Sequence, residues 1–257
     1  QPELATEWAV SEDGLRYWFR LREGVRWHDG KPFDAKDVVF SILLQRDVHP
    51  RGRRVFRNVT AVNALGSHEV EILLSEPAPY LLVAFAGSGV PIAPAHIYAG
   101  TDIAANPANN APIGTGPFRF VEWVRGSHII LERNDDYWDQ PRPYLDGIVY
   151  RFVFDPLTQV AGIETGEVHL TPTGVPLSEL DRLRRNPQLG IETRGFGYNN
   201  TIVRLEFNLD HPHLSDLRVR QAIAHAIDVE TIASTAYQGQ ATPLYGPVSP
   251  GLAAFYD

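Results

Sequence analysis

Between residues 8 and 44 the sequence changes from apolar residues at every second position, as in a strand, to a helical run that starts after a capping residue. This change restricts the fold more than any other feature of the chain. Apolar side chains alternate mainly with arginines over residues 16–22, which is the period of a half-buried strand. Asp13 and Gly14 come just before and are typical of a hairpin turn. Asp34 precedes the helical run and can accept amide hydrogen bonds at its N-terminus. A strand hairpin followed directly by a helix predicts a mixed α/β fold.

The rest of the chain mixes short strands and helices without regular alternation. The predicted strands are 70–74, 118–124, 129–133, 148–154, 191–193 and 203–207, and the predicted helices are 157–165, 176–185 and a long one over 215–232. Residues 46–57 are rich in Arg, His, Pro and Gly and have no period, which indicates an exposed loop. Since strand–helix–strand units do not recur regularly, the prediction is a mixed α/β class rather than a doubly wound sheet.

Two glycines and a proline lie close together after a loop that is rich in Ala, Asn and Pro. Such a cluster predicts a sharp change of backbone direction, because glycine adopts conformations that other residues avoid and proline restricts φ. We therefore predict that the chain crosses between domains here. The residues of this crossing segment are Gly114, Thr115, Gly116 and Pro117.

Charge and residue content exclude several classes of protein. The 23 Lys and Arg against 31 Asp and Glu give a net charge of −8, which argues against nucleic acid as a partner. The absence of cysteine excludes disulfides, thiolate metal sites and thiol nucleophiles. No apolar run approaches the roughly 18 to 20 residues that a membrane-spanning helix needs, so no membrane insertion is predicted. Gln rather than Met stands first, which we interpret as a processing or cloning boundary.

Two histidine motifs invite a chemical interpretation. His28 beside Asp29 could be a general base and its orienting carboxylate. Because neighbouring residues on a strand point to opposite faces, a structural role is favoured over catalysis. His211 and His213 could share a metal ion, but one ion needs three or four ligands, and a solvated loop is favoured. The chain has no nucleophile elbow, zinc-protease motif, phosphate-binding loop or dinucleotide fingerprint, and we predict no catalysis, metal or cofactor.

Three regions match one family pattern in the same order along the chain. The first region, LATEW at 4–8 followed by SEDGLRYWFRLREGVRWHDGKPFDAKDVVF at 11–40, closely resembles the signature segment of the family 5 extracellular solute-binding proteins. PIGTGPFRF at 112–120 and RNDDYW at 133–138 are similar to the region where members of this family pass between lobes. LRVRQAIAHAID at 217–228 is similar to the helix that opens their other large lobe. Members of this family are the dipeptide-, oligopeptide- and nickel-binding components of ABC importers.

The resemblance implies a periplasmic binding protein-like fold of class II, of the three-domain cluster C type, of which this chain is a fragment. It divides the chain into a smaller lobe with the hairpin and helix (1–113), part of the main α/β lobe (114–207) and the truncated start of a second large lobe (208–257). In peptide-binding members, most residues that grip the ligand termini lie in that later lobe. We therefore expect the chain to fold but to bind its ligand poorly.

The resemblance also implies a function. A protein of this kind captures a peptide-like or related small solute and delivers it to the transmembrane subunits of an ABC permease. It acts in the periplasm, or as a cell-surface lipoprotein in a Gram-positive cell, and is expected to be a monomer. The ligand would be enclosed between lobes that close about a hinge, because it binds the closed form more tightly. We expect the hinge to lie in the crossing segment, residues 114–117, because hinges are short and absorb the change of backbone conformation.

Candidate ligand contacts lie in two segments. Arg51, Arg53 and Arg54 form a cationic cluster that could meet an anionic ligand or a permease surface, and the alternative is a solvated loop. By resemblance to the nickel-binding member, this region and the turn at 85–89 lie along the cleft. Glycines in that turn would let a ligand approach the backbone, and the alternative is a plain turn. The predicted ligand-binding residues are Arg53, Phe85, Gly87, Ser88 and Gly89.

Two other functions stay open. A regulator that carries a solute-binding domain of this family would sense a ligand in the cytosol, and it would need a DNA-binding helix-turn-helix elsewhere in its gene. A hydrolase acting on peptides or sugars would need paired catalytic groups in a complete cleft. Turnover of a peptide mixture would separate the hydrolase from a binding protein.

Overall fold

The structure is a computed structural model that describes residues 3–86, 89–172, 175–192 and 202–250. The chain forms two compact units, Gln1–Phe152 (unit 1) and Val153–Asp257 (unit 2). Helices and antiparallel sheets are both present, which confirms the mixed α/β class. The division at 113/114 and 207/208 stays a prediction.

The first sheet of unit 1 has four antiparallel strands. They are β1 (Ala5–Val10), β2 (Arg16–Leu21), β3 (Val59–Ala64) and β4 (Glu69–Leu74), in the spatial order β1-β2-β4-β3. The predicted hairpin is confirmed, and Gly14 adopts a φ of 69° in its turn, which glycine tolerates at little cost. β3 was not predicted, because VTAVNA has few large apolar residues and forms a strand by pairing with β4.

Helix α1 (Ala35–Val48) contributes to the core of unit 1 together with this sheet. Tyr17, Ile72 and Val62 form one row across β2, β4 and β3, and they belong to the same buried cluster as Ile42 of α1. Burying an aliphatic side chain of this size contributes about 1.5–3 kcal/mol. The helix begins as predicted at Asp34, whose carboxylate accepts the Lys36 amide at 2.8 Å.

Most of residues 46–57 are helical, and the prediction of a loop over this range is wrong. α1 continues to Val48, and α2 spans Pro50–Val55. His49 stands between the two helices and caps α2, its Nδ1 accepting the Gly52 amide at 3.3 Å. The segment has no hydrophobic period. α2 forms instead through local features, since Pro50 suits the first helical turn and the His49 side chain caps the N-terminus.

The second sheet of unit 1 is an antiparallel meander of β5 (Phe118–Val124), β6 (His128–Arg133) and β7 (Gly147–Arg151). All three strands were predicted, although β7 ends three residues before the predicted 154. Two short helices, α3 (Leu81–Ala84) and α4 (Ala95–Tyr98), lie between β4 and β5 in the sequence. The crossing segment leads directly into β5.

The described part of unit 2 is helical, with α5 (Pro156–Thr165), α6 (Leu180–Arg184), α7 (Leu217–Ala226) and α8 (Val229–Thr235). Gly166 ends α5 with a φ of 75°, which confirms the predicted C-terminal glycine. None of the helices in the described ranges is long and apolar enough to cross a membrane.

The single long helix predicted over 215–232 is wrong, because the chain forms α7 and α8 instead. Ile227 is extended, with φ −89° and ψ 117°, and this ends α7. Asp228 then caps α8 by accepting the Thr231 amide at 2.9 Å. The apolar spacing continues through the break, so periodicity alone does not reveal it.

The strand predicted over 203–207 is also wrong, since these residues are coil. A strand needs a neighbour to complete its hydrogen bonds, and within the described ranges both sheets consist of residues from unit 1. Residues 191–192 are coil as well, and Thr193 lies outside the described residues.

Candidate ligand-binding segments and the crossing segment

Of the two segments that were predicted to contact a ligand, 51–54 lies in α2, and Phe85 begins the other. The ring of Phe85 lies 5.8 Å from that of Phe56, which directly follows α2. The same ring lies 5.4 Å from that of Phe19 on β2 in an edge-to-face arrangement. Phe85 is thus partly buried against the core and anchors the start of the turn.

Arg53 is exposed, and its guanidinium caps the end of α1. Its Nε and Nη2 donate to the carbonyl oxygen of Asp47 at 3.1 and 2.9 Å, which satisfies one of the free carbonyls at that helix end. Arg51 and Arg54 are exposed too, and the described parts of the chain give them no ion pair. Two of the three cationic groups are therefore free to meet an anion.

Gly89 is exposed, and the chain packs tightly behind it. A Cβ atom built on Gly89 would lie 2.5 Å from the carbonyl oxygen of Ala84, closer than real Cβ atoms approach. This contact requires glycine whether or not a ligand is present. Gly87 and Ser88 lie outside the described residues.

The crossing segment is held by His28, from the loop that follows β2. The His28 amide donates to the Gly114 carbonyl at 2.9 Å, and the Gly114 amide donates to His28 Nδ1 at 3.2 Å. His28 Nε2 lies 3.0 Å from the carbonyl oxygen of Gly116. The buried Asn134 also donates to that oxygen, at 3.0 Å. Sequence reasoning missed Asn134, although it lies in the quoted segment 133–138.

His28 and Asp29 do not act on one another as a base and its orienter. His28 contacts the crossing segment, whereas Asp29 Oδ2 lies 2.7 Å from Nε2 of His96 on α4. Desolvation would raise the pKa of Asp29, but hydrogen bonds from His96 and the Lys31 amide hold it below its ordinary value. The two side chains therefore connect one loop to two different elements, which agrees with a structural role.

His211 and His213 form a local turn. The His211 Nδ1 accepts the His213 amide at 3.3 Å, and the ring centroids lie 5.5 Å apart. No group of three His, Asp or Glu side chains in the described ranges is placed to hold a metal ion. The two histidines alone would leave an ion short of ligands.

A recess of about 390 Å³ lies beside the crossing segment at Pro117. Tyr137 and Tyr144 contribute aromatic walls, and the rim carries an ion pair in which Arg142 donates to Asp139 at 2.8 Å. Its volume lies within the range of small-molecule sites. None of the described residues of the predicted ligand site lines it.

Comparison with known proteins places this geometry in a family. A family model described as bacterial extracellular solute-binding proteins, family 5 Middle, matches residues 1–257. The oligopeptide-binding protein AppA of Bacillus subtilis (strain 168) is 32% identical over 246 residues, which cover 93% of this chain and 44% of AppA.

Solved structures agree with this assignment. NikZ from Campylobacter jejuni, in complex with Ni(L-His), has a TM-score of 0.80 at 29% identity over 96% of this chain and 49% of NikZ. DppA from Helicobacter pylori, in complex with the peptide STSA, has a TM-score of 0.78 at 28% identity over 97% of this chain and 52% of DppA. The chain thus spans about half the length of the relatives it matches. These matches confirm a partial periplasmic binding protein-like fold, and the chain belongs to the bacterial extracellular solute-binding proteins of family 5.

Proposed function

We propose that this chain is part of the substrate-binding component of an ABC importer, which captures a peptide-like or related small solute and delivers it to a membrane permease. The observation that carries the proposal is the family match over residues 1–257. The matched relatives support the ligand class, since one is named as an oligopeptide-binding protein, one is complexed with a peptide and one with Ni(L-His).

The proposed place of action is the periplasm, or the surface of a Gram-positive cell through a lipid anchor. The family description, which names extracellular proteins, supports a site outside the cytoplasm. The protein acts as a monomer and releases its ligand unchanged, so it has no catalytic step. Its acidic net charge of −8 is consistent with a partner other than nucleic acid.

In the proposed mechanism the ligand binds between lobes and stabilises the closed form, because it contacts both lobes only in that form. The crossing segment, residues 114–117, is one place where the backbone absorbs the movement. Its two glycines suit this role because they permit backbone conformations that other residues avoid.

The proposed ligand contacts are Arg53, Phe85, Gly87, Ser88 and Gly89. The contact between Phe85 and Phe56, which directly follows α2, supports this grouping. The free guanidinium groups of Arg51 and Arg54 suit a ligand with a carboxylate, because guanidinium pairs with carboxylate through two parallel hydrogen bonds.

A thermal-shift screen tests the function. The 257-residue chain and the product of the complete gene are each heated with dipeptides, oligopeptides, opines, sugars and Ni(L-His). A ligand at 100 times its Kd stabilises the protein that binds it by about 2.7 kcal/mol. We expect a peptide or a related solute to raise the melting temperature of the complete protein and to affect the chain much less.

Either of two results would count against the proposal. One is the absence of any shift across all ligand classes in the complete protein. The other is turnover, detected by mass spectrometry as cleaved peptide after incubation, since a binding protein returns its ligand intact.

Arg53→Gln and Arg54→Gln form a matched pair for the ligand site. Both remove one exposed guanidinium, but Arg53 also caps α1 through Asp47. The melting temperature without ligand reports the capping, and the ligand-induced shift reports binding. If Arg53 contacts the ligand, Arg53→Gln lowers the ligand-induced shift relative to the unmodified protein, and Arg54→Gln shows whether its free guanidinium contributes as well. A ligand-induced shift in Arg53→Gln equal to that of the unmodified protein would remove Arg53 from the site.

A further inference from the structure

The hydrogen bonds of His28 determine where its proton lies. The Gly114 amide points at Nδ1 from 3.2 Å, and an amide can only donate. Nδ1 is therefore the unprotonated acceptor, and the ring carries its proton on Nε2. From there it donates to the Gly116 carbonyl at 3.0 Å. The neutral Nε2–H tautomer is thus the form that satisfies both contacts, and we call this arrangement of His28, Gly114 and Gly116 the clasp.

A second proton on the ring would open one side of the clasp. Protonated Nδ1 would present an N–H to the Gly114 amide, so two donors would face each other and the hydrogen bond would be lost. The contact with Gly116 would persist, because Nε2 keeps its proton and Asn134 shares that carbonyl. Protonation therefore frees the Gly114 amide specifically, while the Gly114 carbonyl still accepts the His28 amide at 2.9 Å.

Few charged groups act on the ring. Asp29 follows His28 directly, and its carboxylate is held by His96 of α4. Arg119 on β5 is the cation that acts on the ring, and it pairs with Glu132 of β6 at 2.8 Å. On the 134–138 segment, the group bonded to the same carbonyl is the uncharged amide of Asn134.

We propose that His28 is a positioning residue whose protonation loosens the crossing segment, so that the connection between the two sheets of unit 1 depends on pH. The proposal concerns a contact inside unit 1 and does not rest on the transport function. Its effect is to make the Gly114 amide accessible below neutral pH while the rest of unit 1 stays folded.

The direction of the pH dependence follows from burial. Desolvation holds the pKa of His28 below its ordinary value, Arg119 acts in the same direction, and the Gly116 carbonyl and Asp29 oppose them. Because the pKa of His28 is lowered in the closed clasp, the ring contributes its full stabilisation of the clasp at pH values above the ordinary histidine pKa of about 6.5. That contribution is lost as the pH falls from about 6.5 towards the lower pKa of the closed form.

Amide hydrogen exchange of the 257-residue chain, followed by NMR between pH 7.5 and pH 5, tests the proposal. We expect the protection factor of the Gly114 amide to fall by up to about tenfold per pH unit within this window. The internal reference is the Phe33 amide, which donates to the Val25 carbonyl at 3.0 Å near the same loop. Its protection should stay constant, which would show that unit 1 remains folded.

Two conservative variants separate the clasp from general stability. In His28→Asn the side-chain oxygen can take the place of Nδ1, so Gly114 should stay protected at both ends of the pH range. In His28→Gln the side-chain amide can reach the Gly116 carbonyl but leaves Gly114 without an acceptor, so protection should be low throughout. Neither variant titrates in this range, so neither should show the pH dependence.

The proposal is overturned if Gly114 protection in the unmodified chain does not change with pH. It is also overturned if imidazole nitrogen shifts at pH 7.5 assign the proton to Nδ1. A pH dependence that survives in His28→Asn would likewise assign the effect to another group.

Discussion

At the scale of single residues, Asp37 shows how one buried carboxylate joins three segments of unit 1. It is 5% exposed and accepts three hydrogen bonds. These come from Trp27 Nε1 at 3.0 Å, the Asp34 amide at 3.1 Å and the Ala95 amide at 2.8 Å. The carboxylate therefore completes the capping box of α1 and also ties α1 to the Trp27 loop and to α4.

Asp37→Ala should be destabilising, because it leaves the buried Trp27 Nε1 and two half-buried amides without their acceptor. A buried unsatisfied donor costs about 1–3 kcal/mol and the half-buried amides cost less, so we expect a total loss of roughly 2–3 kcal/mol. Urea unfolding followed by tryptophan fluorescence measures it. The control is Asp47→Ala, which removes an exposed pair with Arg46 and should cost about 1 kcal/mol or less. Similar losses for the two variants would contradict this account.

At the scale of elements, the junction of α1 and α2 depends on a close backbone approach. Gly52 is buried, and a Cβ atom built on it would lie 2.1 Å from the carbonyl oxygen of Gln45. No side chain fits this gap, so α2 can fold back on α1 only with glycine at this position. The same approach precedes Phe56, whose ring lies 5.8 Å from that of Phe85.

Gly52→Ala should separate the two helices. Overpacking of this kind typically costs about 1–3 kcal/mol, and the backbone shift should also move the 51–54 segment. The control is Gly66→Ala, where a Cβ would meet nothing within 4 Å. The urea midpoints of both variants measure the difference in stability. An unchanged midpoint for Gly52→Ala would show that the junction of α1 and α2 accommodates the added methyl group at little cost.

At the scale of the whole molecule, the two units differ in how much apolar surface they bury. The buried hydrophobic cluster of unit 1 includes residues from both β2 and β4 and from α1. In the described part of unit 2, the buried hydrophobic residues are Val160, Leu183 and Ala233, whereas Leu170, Val203 and Tyr245 are almost 80% exposed. Since apolar burial is the main favourable term in folding, unit 2 should be the less stable unit.

We expect the two units to unfold at different urea concentrations. All five tryptophans, at positions 8, 18, 27, 123 and 138, lie in unit 1, so their fluorescence reports on that unit alone. Far-ultraviolet circular dichroism also reports the helices of unit 2. The dichroism should start to change at lower urea than the fluorescence does. Coincident transitions would mean that the chain unfolds as one cooperative body.

Local sequence determined the elements whose causes lie within a few residues. The β1–β2 hairpin follows from a two-residue period and a glycine turn, α1 from its Asp34 cap, and α5 from the glycine that ends it. The order of the quoted motifs also led to the correct family. Periodicity failed at 203–207, because a strand also needs a partner, and the described ranges provide none there.

The tertiary structure alone decided which residues meet across the chain. His28 and Gly114 are 86 positions apart, and no local pattern links an imidazole to that amide. The same is true of Phe85 and Phe56, which bring two predicted ligand segments together. Hydrophobic periodicity and helix capping depend on residues a few positions apart, whereas such long-range contacts depend on how the elements pack. This is why the sequence revealed the family and its local elements, and the structure revealed the clasp.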